Sequence, residues 1–195
     1  MTRFRLPAAL MIAALALSAC ETRTGLTPPP AMLTQHFKLG HAVVVADTAT
    51  KAPISRDATK EQLETAVTKA VKDRFSRLDG NAFYHLGINV DGYALAPPGV
   101  PLVVSPKSVM IVSVTLMSDT EGGKKLNEKP EQLTVFETLS AGTAIGSGLT
   151  KSAEEQLENL AFNTALAIED WLGKNPQFFD PRAKPLVRAP GAAAQ

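Results

Sequence analysis

Lys107-Ser108-Val109-Met110-Ile111-Val112-Ser113-Val114-Thr115-Leu116-Met117-Ser118 is the stretch on which the fold turns. Met110, Val112, Val114 and Leu116 share one parity; Val109, Ile111, Ser113, Thr115 and Met117 share the other. A period of two is that of a β-strand, whose successive side chains point to opposite faces. Asp119 to Glu131 follows as a charged turn around Gly122-Gly123. Leu133, Val135 and Leu139 then mark a second strand, with Thr134, Phe136, Thr138 and Ser140 opposite. The two strands are expected to pair as an antiparallel hairpin.

Phe83 to Ala96, upstream, alternates in the same way. Tyr84, Leu86, Ile88 and Val90 share one parity; Phe83, His85, Gly87, Asn89 and Asp91 share the other. After Gly92 the apolar parity shifts to Tyr93 and Leu95, so a bulge near Asp91-Gly92 is needed to return those side chains to the core. Phe37, Leu39, Val43 and Val45 alternate from the start of the domain, with Ala42, Val44 and Ala46 on the other parity. This strand's Val-rich second half is expected to be buried on both faces. Pro97 to Pro106 is a proline-rich connection with an apolar centre. It either contacts a partner or membrane, or folds back over the sheet edge.

Two helices complete the pattern. Thr59 to Leu78 opens with Thr59 and Gln62 at capping-box spacing, and Leu63, Val67, Ala70, Val71, Phe75 and Leu78 form its apolar stripe. Lys72, Arg74 and Arg77 suit the negative end of the helix dipole; the alternative is a basic binding patch. Gly80 is the expected stop, free to turn left-handed. The last helix runs from about Ser152 to Leu172, with Ser152 and Glu155 as a second capping box. Leu157, Leu160, Ala161, Thr164, Ile168, Trp171 and Leu172 form its stripe, widened by Phe162 and Leu166, and Gly173 is the expected stop. Trp171 belongs to the core.

The order β-α-β-β-β-α predicts an α+β fold. It is a two-layer sandwich in which two amphipathic helices cover one face of a mostly antiparallel four-stranded sheet. The other face then holds Phe83, His85, Asn89, Ile111, Ser113, Thr115 and Phe136. That mixture of aromatic, aliphatic and polar groups suits contact with a partner or lipid. The alternative is a wetted face with scattered apolar residues. Phe83, His85, Ile111 and Phe136 are the candidate contact residues.

Composition narrows the function. Lys+Arg 20 against Asp+Glu 19 gives a net charge of +1, without the basic excess that nucleic-acid binding calls for. No catalytic constellation is apparent. The three histidines, His36, His41 and His85, lack metal-ligand spacing. His85 and Asp91 are separated by roughly 20 Å of strand. Gly142 to Gly148 precedes a helix but is no phosphate loop, because Lys151-Ser152 is preceded by Thr150 rather than glycine. No enzyme, metal or cofactor is expected.

The N-terminus carries the clearest signal. Met1 to Arg5 holds two positive charges, and Leu6 to Ala19 is uncharged and mostly Ala, Leu, Met and Ile. This is the n-region and h-region of a secretory signal. Its fourteen residues fall short of the about 20 that a membrane span needs. Leu17-Ser18-Ala19-Cys20 closes the run and contains the chain's one cysteine. It resembles the lipobox of bacterial lipoproteins. The resemblance implies cleavage between Ala19 and Cys20, a diacylglycerol on the Cys20 sulfur, and acylation of the freed α-amino group, with palmitate among the acyl chains. Two or more acyl chains suffice for stable anchoring. Glu21, rather than aspartate, follows the cysteine, which favours the outer membrane, facing the periplasm. The alternative is an ordinary signal peptide cut near Ala19.

Residues 1–19 are thus the expected signal peptide and 20–36 a lipidated, Pro-rich tether around Pro28-Pro29-Pro30. Met32 and Leu33 either extend the tether or pack on the domain. Residues 37–175 form one domain, and 176–195 a Pro- and Ala-rich tail expected to be disordered, with Phe178 and Phe179 pinning its start. Loss of Arg3 and Arg5 leaves the processed chain near −1. The element order resembles that of small envelope lipoproteins, such as the lipopolysaccharide-transport lipoprotein and transport-auxiliary lipoproteins, in topology alone. It implies a non-catalytic assembly or transport-accessory module with a protein partner in the envelope. The alternative is a periplasmic lipoprotein that binds a lipid or other small apolar ligand; an apolar cavity between sheet and helices would favour it.

Overall fold

The computed structural model describes residues 28–98, 107–120, 122–138 and 151–180. In chain order the elements are α1 (Ala31–His36), β1 (Phe37–Val45), β2 (Thr50–Lys51), α2 (Lys60–Phe75), β3 (Ala82–Ala94), β4 (Val109–Ser118), β5 (Lys124–Lys125), β6 (Glu131–Phe136) and α3 (Ala153–Lys174), followed by a 3₁₀ turn at Pro176–Phe178. The fold is α+β, with a sheet backed on one face by α2 and α3.

The long strands lie in the order β1-β3-β4-β6. β3 and β4 are antiparallel, with Tyr84 opposite Ser118 and Ile88 opposite Val114. β4 and β6 form the expected antiparallel hairpin, with Met110 opposite Val135. The sheet is mostly antiparallel, as expected, and departs from four strands in its count alone. The two-residue strands β2 and β5 bring the described strands to six. β1 also runs parallel to β3, with Phe37 beside Ala82 and Val44 beside Ile88, because α2 carries the chain across between them.

Each helix starts where its capping box lies. Thr59 accepts from the Gln62 N–H while the Gln62 side chain accepts from the Thr59 N–H; Ser152 and Glu155 do the same for α3. Leu63, Val67, Val71 and Phe75 of α2, and Leu157, Leu160, Ile168 and Leu172 of α3, are buried against Leu86, Ile88, Val112 and Val114 of the sheet. These side chains fill the space between the layers. The bulge expected near Asp91-Gly92 is present as a register shift between Val90 and Gly92, and it returns Tyr93 and Leu95 to the core. Trp171 is buried, with Phe178 edge-on at 5.5 Å, and Phe179 meets Tyr84 at 5.1 Å. The aromatic pair at the start of the tail therefore is pinned; residues 181–195 lie outside the described residues.

Several expectations are corrected. The second half of β1 is not buried on both faces: Val44 is in the core, while Val43 is 60% and Val45 38% exposed. The register of β1 against β3 breaks between Leu39 and Ala42, so the parity that begins with Phe37 inward continues with Val44 and Ala46 inward. Gly80 is not a left-handed stop. α2 ends at Phe75, and a Cβ on Gly80 would lie 2.3 Å from the Phe37 nitrogen. Gly173 likewise is no stop: α3 continues to Lys174, and a Cβ there would lie 2.7 Å from the Pro30 ring. Both glycines permit close packing of the segment that enters β1. That segment is part of the domain, since Ala31–His36 is helical and Leu33 is fully buried. The Pro-rich connection is described only to Pro98, and Gly142 to Gly148 lies outside the described residues, as does Leu139.

Candidate functional site

The face of the sheet turned away from α2 and α3 bears no second layer among the described residues. It is built from the odd-numbered side chains of β1 beyond its bulge, of β3 before its bulge and of β4, and the even-numbered ones of β6. Cross-strand pairs order it into rows. His85, Met117 and Lys125 form one row; Val43, Gly87 and Thr115 the next; Val45, Asn89, Ser113 and Gln132 a third. Ile111 and Thr134 lie beyond, and Phe136 closes the far end opposite Val109. Phe136 is 58% and Phe83 45% exposed.

All four candidate contact residues thus share one face, as their parity implies. They do not form one cluster. Phe83 and His85 stand at one end of β3, while Ile111 and Phe136 stand at the other, roughly 20–30 Å along the strands. What joins them is the central rows, whose exposed valines the apolar content of both parities placed in the core.

The polar groups on this face are held by one another. Asp91 accepts from Asn89 at 2.6 Å, from Ser113 at 2.7 Å and from Gln132 at 3.3 Å, and so fastens β3, β4 and β6 together. His85 is separately engaged. Its Nδ1 accepts the His41 backbone N–H at 3.0 Å, its ring stacks on His41 at 5.1 Å, and its Nε2 lies 3.5 Å from Asp119. The imidazole thus supplies an acceptor at the β1 bulge. His85 and Asp91 do not meet. Beside Phe83, Lys38 bonds Asp79 at 2.6 Å and lies 5.3 Å from the Phe83 ring centroid. The Lys38 hydrogen bond holds the Asp79 carboxyl below its ordinary value. Among the described residues, no group of three His, Cys, Asp or Glu side chains is placed to hold a metal ion.

Two concavities complete the surface. A depression of ≈ 190 Å³ lies on the open sheet face above Gly87, between Val43, Thr115 and Pro130. A larger groove of ≈ 620 Å³ runs between α2 and α3 on the outer side of the helix layer, with Ala66, Ala70 and Phe162 along it and Glu61 and Glu158 at its rim. Arg74 and Arg77 border that groove without forming a free basic patch. Arg74 Nε lies 2.9 Å from Glu169 of α3 and Arg77 Nη2 2.7 Å from the same carboxylate; Arg74 and Glu169 are buried. Local spacing concealed this triad, because Arg74 and Glu169 stand 95 residues apart. The one sequence signal was an acid inside the apolar arc of α3, beside Ile168 and Leu172.

Ala19 and Cys20 lie outside the described residues. No described helix is long and apolar enough to cross a membrane. No family model and no curated protein matches the chain. Solved structures give distant likenesses. A Xanthomonas campestris protein of the DUF330 family is 15% identical and covers 77% of this chain and 91% of its own, with a TM-score of 0.43. A candidate lipoprotein from Caulobacter crescentus is 15% identical over 74% of this chain and 91% of its own, with a TM-score of 0.34. A minor lipoprotein from Acinetobacter baumannii is 17% identical over 71% of this chain and 93% of its own, with a TM-score of 0.33.

Proposed function

We propose that this chain is a bacterial envelope lipoprotein, anchored through lipid on Cys20 at the outer membrane and facing the periplasm. Its domain acts as a non-catalytic binding module in envelope assembly or transport, and the open sheet face receives a protein partner. The observation that carries this reading is the asymmetry of the two layers. The space between sheet and helices is filled, whereas the opposite face displays Val43, Phe83 and Phe136 to solvent. Val43, Val45, Phe83 and Phe136 are four of the six large apolar side chains exposed among the described residues, and all four stand on this face, the kind of surface that favours a contact role where its apolar groups become continuous with a partner's. The anchor rests on Leu17-Ser18-Ala19-Cys20 and the uncharged run before it.

The groove between α2 and α3 supports the second reading, a lipoprotein that binds a lipid or small apolar ligand, since ≈ 620 Å³ lies within the usual size of such sites. It is not the cavity between sheet and helices that would have favoured this reading, because it opens outward between the two helices. Crosslinking in intact cells separates the two. Ile111→Lys and Phe136→Lys should each abolish partner capture while circular dichroism and solubility stay those of the wild type. Capture unchanged by both substitutions would refute the sheet face as the contact surface. Cys20→Ala should release or misprocess the protein without unfolding the domain, and a variant held as firmly as wild type would refute the anchor.

A further inference from the structure

The groove between α2 and α3 is apolar along its floor and acidic at one end. Ala66, Ala70, Leu157 and Phe162 line its length, and Phe162 is 40% exposed. The two helices run parallel: Asp57 and Ala153 line one end of the groove, and Arg77 meets Glu169 at the other. Most charges along it are paired. Asp57 bonds Lys51, Lys69 bonds Asp73 at 2.9 Å, and Arg74 and Arg77 share Glu169. Glu61, Glu154 and Glu158, all exposed at the N-terminal end, form no ion pair among the described residues. Glu158 adds to the negative field around Lys69, whose ammonium Asp73 already holds. Three uncompensated carboxylates beside an apolar floor favour a cationic occupant with apolar side chains and disfavour an anionic lipid.

The chain itself supplies such an occupant. Residues 181–195 lie outside the described residues, but their sequence holds Arg182, Lys184 and Arg188, no acid, and Leu186-Val187 just before the last cation. The Asp180 N–H bonds the Pro176 carbonyl at 2.9 Å, so this segment departs from the C-terminal end of α3, the end of the groove marked by Arg74 and Arg77. Glu158 lies about 24 Å back along α3 from Lys174, and Phe162 about 18 Å, at about 1.5 Å per helical residue. Arg188 stands eight residues beyond Asp180, a reach of about 25 Å at about 3.1 Å per residue for an extended, proline-punctuated segment. Leu186 and Val187 come level with Phe162 on the same scale, at about 19–22 Å. A segment joined to the end of its own groove also meets it at a millimolar effective concentration, an advantage that the tail of a second copy lacks.

We infer that residues 182–188 dock in the α2–α3 groove of their own chain, with Leu186 and Val187 on the apolar floor at Phe162 and Arg188 at Glu154 and Glu158. The chain's own segment then takes the place of the apolar ligand considered above. The assignment depends neither on the open sheet face nor on the lipid anchor.

A photo-crosslinking residue in place of Ala189 leaves Leu186 to Arg188 intact and reports the contact by peptide mass spectrometry of the full chain from intact cells. It should join mainly to residues 61–70 or 154–162, in a product of monomer mass. Arg188→Glu and Leu186→Asp should each lower the yield of that crosslink about fivefold or more, as should Glu154→Lys with Glu158→Lys. Combining that pair with Arg188→Glu should restore about half of it or more. Circular dichroism should match wild type throughout, since Glu154 and Glu158 are exposed; if the lysine pair does not fold, the two tail variants decide. An undiminished crosslink in Arg188→Glu and Leu186→Asp would overturn the assignment, as would crosslinks outside the groove, to lipid or to another protein, or none at all. A product of two-chain mass would overturn the choice of the chain's own segment over that of a second copy. Each of these failures leaves the sheet-face reading standing, because partner capture there is measured separately at Ile111 and Phe136.

Discussion

Glu169→Ala removes the carboxylate shared by two arginines of the neighbouring helix. Arg74 and Glu169 side chains are 7% and 5% exposed, whereas Arg77 is 32% exposed. The buried pair was desolvated on folding, and deleting one member leaves its partner buried without its counter-charge. That costs about 3–5 kcal/mol. Arg77→Ala removes the solvent-facing arm only and should cost about 1 kcal/mol or less. For a domain of this size each kcal/mol shifts the melting temperature by about 2–4 °C, so Glu169→Ala should melt about 6–20 °C lower. Urea unfolding followed by circular dichroism measures both variants, with an unchanged slope required for comparison. A third variant tests the cause. Arg74→Met with Glu169→Leu replaces charge by apolar volume and should be near neutral or stabilising. If Glu169→Ala costs no more than Arg77→Ala, the triad does not hold α2 to α3 and the reasoning fails.

Two further outcomes follow from backbone geometry. Gly80→Ala should destabilise by about 1–3 kcal/mol or more, because its Cβ would press on the Phe37 nitrogen and the His36 carbonyl carbon; a melting temperature equal to wild type would contradict that close approach. Asn127 accepts the Leu116 N–H at 2.8 Å and donates to the Val114 carbonyl at 2.9 Å, filling the ladder of β4 between β5 and β6. Asn127→Ala should therefore cost about 1–3 kcal/mol and speed hydrogen exchange at the Leu116 amide, and unchanged exchange there would show that water serves the strand equally well.

Much of the fold was legible because its determinants are local. A capping box is closed by residues three apart, so Thr59–Gln62 and Ser152–Glu155 locate both long helices without reference to the rest of the chain. The period-two pattern of Met110 to Leu116 and Tyr84 to Val90 assigned the core face of both central strands, and the parity change at Tyr93 located the bulge. The same parity put Phe83, His85, Ile111 and Phe136 on one face.

The edge strand shows where local pattern fails. Val43 and Val45 are as apolar as any core residue, and nothing within a few residues of them reports that the sheet face they turn to carries no second layer among the described residues. The break at Gly40-His41 that turns them outward depends on His85, 44 residues away, accepting the His41 N–H. The Arg74–Glu169 pair and the packing of Gly80 and Gly173 against the entering chain are of the same kind. By itself, then, the sequence determined the two long helices, the central strands, the β3 bulge and the N-terminal lipobox pattern, since each is set by hydrogen bonds or periodicity over short spans. Only the tertiary structure decided the direction of β1, the exposure of its valines, the buried Arg74–Glu169 pair and the hollow at Gly87. Each of these depends on which distant residues, or none, stand beside a given side chain.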